Sequence, residues 1–185
     1  MKKRGVTITV HMVASVDGII ARPDNSISWF ETGHPFEDGE EAEDPTAFLK
    51  SIDCYVMGSK TYELAMELSK DYGWAYGDKI TIVLSHRKFE DDRPHIVFWE
   101  GDLQNLVKDH LSAKYKSVWV VGGAEVVNSL LQLKLVDEIR ISLLPILLGN
   151  GLRYFDFLPE ENKLKLLKAK AYKNGMIDLH YAVNQ

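Results

Sequence analysis

Three turns in the sequence carry residue types that suit the binding of phosphate groups. They are Gly58-Ser59-Lys60-Thr61, Leu84-Ser85-His86-Arg87 and Gly122-Gly123-Ala124-Glu125-Val126, and each follows an apolar run. Glycine lets a ligand approach the backbone, hydroxyl and N–H groups donate hydrogen bonds, and Lys60 and Arg87 add positive charge. Each turn alone is also typical of a tight turn or a surface cation. Together, on successive strands, they favour a nucleotide-like ligand.

Other catalytic motifs are absent from the sequence. The first turn resembles the end of a phosphate-binding P-loop, but Asp53 stands where that motif has a glycine. No dinucleotide fingerprint, nucleophile elbow or zinc-protease motif is present. The histidines show no ligand spacing, so no metal site is expected, and only His86 is interpreted as a phosphate contact. Cys54 lies within an apolar run, which indicates an inert core thiol.

Composition limits the class of protein. A chain of 185 residues favours one domain over residues 1–185. The net charge of −5 argues against a nucleic-acid partner. A single cysteine excludes an internal disulfide framework. The most apolar stretch, 139–148, is too short to span a membrane, and the first residues lack a signal-peptide pattern. These observations predict a soluble, cytoplasmic protein without a membrane partner.

Apolar runs and turn signals alternate through most of the chain. They predict strands at 6–14, 53–57, 79–84, 95–99, 117–121 and 136–144, with helices at 44–52, 58–69, 103–111 and 124–133. Residues 164–173 and 176–183 flank Asn174-Gly175, a strong hairpin signal. The predicted fold is a three-layer α/β/α sandwich. Its central sheet is mixed, mostly parallel, and ends in an antiparallel C-terminal hairpin.

A long loop is predicted from Arg22 to Asp44. It contains prolines, glycines and an acidic run that begins at Glu37. A loop of this length inside a compact domain is typical of a functional lid. A solvated acidic loop without a role is an equally good interpretation.

In this order, the motifs resemble the dihydrofolate reductase superfamily, and most closely the reductase domain of the bifunctional riboflavin-biosynthesis deaminase-reductases. The segments that carry the resemblance are 14–21, 56–63, 82–85, 120–125 and 144–151, and the likeness extends over residues 6–183. The deaminase motifs His-x-Glu and Pro-Cys-x-x-Cys are absent. The resemblance therefore implies the dihydrofolate reductase-like fold with the reductase half alone.

The resemblance implies NADPH as the hydride donor. By position, Ala14 and the Asp17-Gly18-Ile19 loop would border the nicotinamide. The first two turns would hold the adenosine 2′-phosphate and part of the diphosphate, and residues 122–126 would hold the rest. The superfamily joins the two glycines of that last turn by a non-proline cis peptide bond, so one is expected between Gly122 and Gly123.

The resemblance also implies a substrate site. Asp44 would bind the heterocycle and support its protonation, with Trp29 and Ser142 around that carboxylate. A helix N-cap is the alternative role for Asp44. Fifteen positions separate Trp29 from Asp44, more than is typical of dihydrofolate reductases. Val127 replaces a tyrosine near the nicotinamide, and Ser59 replaces an arginine at the 2′-phosphate.

The expected function is therefore a stand-alone NADPH-dependent reductase. Its substrate would carry a C=N bond in a riboflavin-type aminopyrimidine or a pterin. One alternative is a catalytically inactive nucleotide-binding module, consistent with Val127 and with the alternative role of Asp44 as a helix N-cap. Another is a phosphotransferase that uses Lys60 and Thr61 with magnesium and ATP. The apolar stretch 143–148 and the closing hairpin are consistent with a homodimer, and equally with a monomer.

Overall fold

The strands and helices are described for residues 5–31, 35–41, 45–156 and 158–184 of this computed structural model. The strands are β1 (Thr7–Ser15), β2 (Ile19–Ala21), β3 (Cys54–Gly58), β4 (Ile80–Leu84), β5 (Ile96–Trp99), β6 (Ser117–Gly122), β7 (Glu138–Leu144), β8 (Leu152–Arg153), β9 (Leu164–Ala171) and β10 (Ile177–Val183). The helices are α1 (Pro45–Ser51), α2 (Ser59–Tyr72), α3 (Leu103–Asn105), α4 (Ser112–Lys114) and α5 (Ala124–Gln132), with a π-helical segment at Leu106–Leu111 and a 3₁₀ turn at Ser28–Glu31.

One eight-stranded sheet organises the molecule, in the order β5-β4-β3-β6-β1-β7-β10-β9. The strands from β5 to β7 run parallel to their neighbours. Strand β10 is antiparallel to both β7 and β9. This arrangement confirms the predicted mixed, mostly parallel sheet with its closing hairpin. Strands β2 and β8 form a separate antiparallel pair.

Each face of the sheet has its own apolar core. Cys54 and Val56 of β3 belong to the larger core, which includes buried residues of α5 and of the π-helical segment. Met57 belongs to a second core with Tyr62 of α2. Because side chains alternate between the two faces of a strand, β3 is buried on both sides. Helices cover both faces, which confirms the three-layer sandwich.

Some element boundaries differ from the sequence prediction. Helix α2 continues to Tyr72 rather than ending near Ser69, and Gly73 terminates it with a φ of 77°. The helix predicted at 103–111 continues to Lys114 and contains a π-helical segment, where Ser112 Oγ donates to the carbonyl of Val107. The β2–β8 pair was not predicted from the sequence.

The described part of the loop at 22–44 is not wholly irregular. It contains the 3₁₀ turn, and Glu40 forms a bridge with Tyr172 beside the hairpin. Glu40 N donates to the carbonyl of Ala171 at 2.8 Å, and Lys173 N donates to the carbonyl of Glu40 at 2.9 Å. The Glu40 carboxylate pairs with Lys170 at 2.7 Å. Residues 35–41 are therefore fastened to the C-terminal hairpin.

Across the described ranges, none of the helices combines the length and apolarity needed to cross a membrane.

Candidate active site

The three predicted phosphate turns lie at one edge of the sheet. Strands β4, β3 and β6 are parallel neighbours, with Gly58 opposite Leu84 and Met57 opposite Gly122. Their carboxyl ends therefore lie side by side, at the edge where ligands bind in open α/β sheets. The predicted convergence of the turns is present in the structure.

The first and third turns are in close contact. A Cβ atom at Gly58 would lie 3.2 Å from Cγ2 of Val126. A Cβ atom at Gly123 would lie 3.6 Å from the Thr61 hydroxyl. The peptide bond between Gly122 and Gly123 is cis, as the resemblance implied. The missing side chains therefore allow the two turns to pack against each other.

Two helix N-termini open onto this edge. Helix α2 begins after Gly58 and α5 begins after Gly123, and no side chain of the described residues caps either start. The first N–H groups of a helix have no partner within the helix, and the helix dipole makes this end positive. Two neighbouring uncapped N-termini therefore suit a diphosphate.

The predicted phosphate-binding cations form exposed ion pairs. Lys60 Nζ lies 3.3 Å from Glu125 Oε1, and the two side chains are 80% and 88% exposed. Arg87 Nη2 lies 2.9 Å from Glu63 Oε2. Exposed pairs of this kind contribute little to stability, so a phosphate can displace the carboxylates. The glutamate partners were not anticipated from the sequence.

The remaining polar side chains of the second turn have local roles. Ser85 Oγ accepts a hydrogen bond from Arg87 N at 2.8 Å and donates to the Arg87 carbonyl at 3.0 Å, so the hydroxyl shapes its own turn. His86 is exposed, with Nδ1 3.7 Å from Glu100 Oε1. Leu84 ends β4 and is half-buried.

The loop after β1 is held together by Asp17. Its carboxylate accepts hydrogen bonds from Ser15 Oγ at 2.6 Å, Leu148 N at 3.1 Å and Gly149 N at 2.7 Å. These bonds, the one from Ser15 most strongly, lower the pKa of Asp17 to about 2. The Asp17 side chain therefore holds the loop in place. Because the side chains of Ala14 and Ile19 are buried, a ligand at this loop would meet mainly backbone atoms.

Ser142 lies beside a histidine that the sequence analysis did not select. His11 Nε2 and Ser142 Oγ are 3.0 Å apart, across strands β1 and β7. The His11 ring stacks on Trp119, and Phe48 of α1 packs against its edge. Burial lowers the pKa of His11 to about 4, so the ring is neutral at pH 7. A buried polar pair therefore occupies the predicted substrate side.

Trp29 and Asp44 are the other two candidates for the substrate site, and the structure describes only Trp29. Trp29 is buried in the 3₁₀ turn and packs edge-on against Phe30, with ring centroids 4.6 Å apart. Asp44, the predicted catalytic residue, lies outside the described residues.

The low pKa of His11 predicts acid sensitivity. Below pH 6.5 the unfolded chain protonates His11, whereas the folded chain does so only near pH 4. The free energy of unfolding should therefore fall as the pH falls from 6.5 to 4, by about 2–3 kcal/mol from this residue. Urea unfolding at pH 7 and pH 4.5 should show a smaller pH effect in His11→Gln than in the wild type. The exposed control His86→Gln should keep the wild-type pH effect, and an unchanged effect in His11→Gln would contradict the assignment.

Comparison with known proteins identifies the family. The pattern of the family described as the RibD C-terminal domain matches residues 6–177. The chain belongs to this family. A curated relative, the uncharacterised protein YwjB of Bacillus subtilis strain 168, is 30% identical over 172 residues, which cover 93% of this chain and 95% of YwjB.

Solved structures confirm the predicted fold of this chain, which is dihydrofolate reductase-like. A putative riboflavin biosynthesis protein from Shewanella sp. PV-4 matches with a TM-score of 0.83 at 23% identity, covering 97% of this chain and 100% of the other. RibD of Acinetobacter baumannii matches with a TM-score of 0.63 at 15% identity, over 97% of this chain and 58% of that longer one. At these identities the likeness concerns the fold.

Proposed function

We propose that this RibD C-terminal domain protein is an NADPH-dependent reductase. It transfers a hydride to a C=N bond of a small heterocycle of the riboflavin-precursor aminopyrimidine or pterin type. Family membership supports a reductase-like role. The observation that carries the proposal is the pair of uncapped helix N-termini at the edge of the sheet where β1 also ends.

The residues at this edge fit the cofactor. The uncapped starts of α2 and α5 lie at the turns that contain Gly58, Gly122 and Gly123, and a Cβ atom at Gly123 would lie 3.6 Å from the Thr61 hydroxyl. These N–H groups would hold the diphosphate, while Lys60 and Arg87 would hold the 2′-phosphate. When bound, NADPH supplies the hydride, and the protein supplies orientation and excludes water.

The substrate side is formed by strands β1 and β7. Ser142 and the neutral His11 offer hydrogen-bonding groups to a heterocycle, and Ala14 at the end of β1 borders the cofactor edge. Asp44 precedes α1 in the sequence, and Phe48 of that helix contacts His11. We therefore retain Asp44 as the proposed proton donor to the nitrogen of the C=N bond.

The alternatives have less support. Val127, one of the two residues on which the inactive module relied, is fully buried in the larger core and exposes no surface to a ligand, and the other, Asp44, lies outside the described residues. Lys60 and Thr61, the proposed phosphotransferase residues, lie beside Glu125 and Gly123, and neither contact is specific to ATP. Neither observation favours a function other than the reductase.

The cations provide a direct test of the cofactor. Calorimetric titration of Lys60→Ala/Arg87→Ala should show NADPH binding at least tenfold weaker than in the wild type, because two charge-assisted contacts to the 2′-phosphate are lost. NADH lacks that phosphate, so its affinity should change less than threefold. Lys108→Ala/Lys114→Ala removes the same charge at exposed positions and serves as the matched control.

Each contrary outcome has a distinct meaning. Equal loss of NADPH and NADH affinity would show that these cations do not read the 2′-phosphate. Failure of the wild type to bind NADPH, with magnesium-dependent binding of ATP instead, would replace the reductase with the phosphotransferase. Tight NADPH binding without oxidation in the presence of pterins and aminopyrimidines would favour the inactive module.

A further inference from the structure

A polar cavity lies on the face of the sheet that carries His11. Its volume is about 60 Å³, and its wall includes His11, Arg140, Lys168, Lys170, Asp178 and His180. These side chains come from β1, β7, β10 and β9, which are consecutive in the sheet. Since a water molecule occupies about 30 Å³ in the liquid, the cavity has room for about two waters or one small functional group.

Arg140 enters this cavity as a cation without a carboxylate partner. Its guanidinium lies over the Phe48 ring, 4.7 Å from the centroid. In the part of the chain that the structure describes, Arg140 takes part in no salt bridge, and its buried Nε has no hydrogen-bond acceptor. A buried unpaired donor is costly, and a guanidinium stacked on an aromatic ring is well positioned for planar recognition of a ligand.

Asp178 has an unused hydrogen-bond acceptor, whereas Arg140 has an unused donor. Oδ2 of Asp178 accepts a hydrogen bond from Tyr172 Oη at 3.2 Å. Its buried Oδ1 accepts no hydrogen bond from the described residues. The buried Nδ1 of His11 also has no hydrogen-bond partner among them. Asp178 lies opposite Ser142 and Arg140 lies opposite His180, so the two charged residues are diagonal neighbours on one face. They nevertheless do not pair with each other.

The neighbouring polar groups have partners of their own. Lys170 pairs with Glu40 at 2.7 Å, His180 Nε2 lies 2.9 Å from Glu138 Oε2, and Lys168 is also engaged in an interaction. Arg140 and Asp178 are thus the groups of the cavity wall that combine opposite charge with unused hydrogen-bonding capacity. A bound anion would be repelled by Asp178, and a bound cation would be repelled by Arg140.

We propose that Arg140 and Asp178 form a substrate subsite for a neutral amide or lactam edge. The ligand carbonyl accepts from Arg140 Nε, and the adjacent ligand N–H donates to Asp178 Oδ1. The inference rests on the proposed function, because the cavity adjoins the Ser142–His11 pair. On this face of β1, Val13 follows His11, about 7 Å along the strand toward the edge where the cofactor is proposed to bind, a distance within the length of a fused two-ring heterocycle.

The subsite is tested with three two-ring ligands of similar size, titrated calorimetrically into the full chain without cofactor. Pteridine-2,4-dione carries the lactam edge, quinoxaline lacks it, and quinoxaline-2-carboxylate adds an anion. Only the dione should bind. Arg140→Gln and Asp178→Asn should each weaken its binding at least tenfold, with melting temperatures recorded to verify folding. The exposed controls Arg153→Gln and Asp92→Asn should leave dione binding unchanged.

The outcomes separate this subsite from the reductase assignment. Binding of the carboxylate through Arg140 would overturn the neutral-edge proposal in favour of an anion site. Equal binding of the dione and quinoxaline would show that the lactam edge is not recognised, and no binding of either while NADPH binds normally would show that the cavity binds no heterocycle; both outcomes overturn the proposal. If the dione binds as expected and NADPH does not bind at all, the subsite stands and the proposed reductase function fails.

Discussion

Gly122→Ala is expected to abolish measurable NADPH binding and to lower the free energy of unfolding by about 2–4 kcal/mol. Gly122 has a φ of 145°, a conformation that residues with a side chain rarely adopt. An added Cβ would also lie 3.1 Å from Met12 Cε and 3.8 Å from the Thr61 hydroxyl. The methionine end can shift, so the backbone change dominates the cost. That change moves the start of α5 away from the start of α2.

Gly77→Ala is the matched control for this experiment. Gly77 also has a positive φ, 59°, but nothing lies within 4 Å of an added Cβ, and the residue is outside the three turns. It should lose about 1 kcal/mol of stability and keep wild-type NADPH affinity. Urea unfolding and calorimetric NADPH titration measure both quantities. Wild-type NADPH affinity in a folded Gly122→Ala protein would remove the glycine turn from the cofactor site.

Gly151→Ala should destabilise the fold strongly and lower the free energy of unfolding by more than about 3 kcal/mol. An added Cβ would lie 2.2 Å from the carbonyl oxygen of Ala21 and 2.6 Å from Cγ2 of Ile19, and the φ of Gly151 is 150°. Backbone cannot move aside as a flexible side chain can. Strand β8 would have to separate from β2, which anchors the loop that contains Asp17.

Gly149→Ala tests whether the close approach causes this loss. Gly149 has a φ of 75° and nothing within 4 Å of an added Cβ, so alanine there incurs only the backbone cost, about 1 kcal/mol. Urea unfolding of both variants measures the difference. Equal destabilisation would show that contact with β2 is not what excludes a side chain at residue 151.

The central fold was predictable because buried parallel strands are almost uniformly apolar. Strand β3 was expected at 53–57 and is found at Cys54–Gly58. The hairpin at Asn174-Gly175 was equally clear. The β2–β8 pair was not, because its strands contain three and two residues that lie far apart in the sequence. The π-helical segment has no local signal, since apolar spacing alone does not distinguish it from an α-helix.

The cofactor side of the candidate site was predictable from the sequence, and the substrate side was not. The phosphate turns are local sequence features, in which glycines, hydroxyls and cations stand within a few residues of one another. His11, Arg140 and Asp178 each look like an isolated polar residue in a strand. Only the register of β1, β7 and β10 brings them to one face, and register depends on pairing across the chain.

Strand β9 has a consequence for the behaviour of this protein in concentrated solution. It is the last strand of the sheet, and Lys165, Lys168 and Lys170 are spread along its eight residues. A bare strand edge invites a neighbouring molecule to extend the sheet, which is a common beginning of fibrous aggregation. Two such edges brought together would bring Lys165 of each molecule close to the other, whereas Lys170 is already paired with Glu40. Lysines on an edge strand disfavour such pairing, while the exposed Leu164, Leu166 and Leu167 of β9 favour it, so salt that screens the lysines should promote polymerisation.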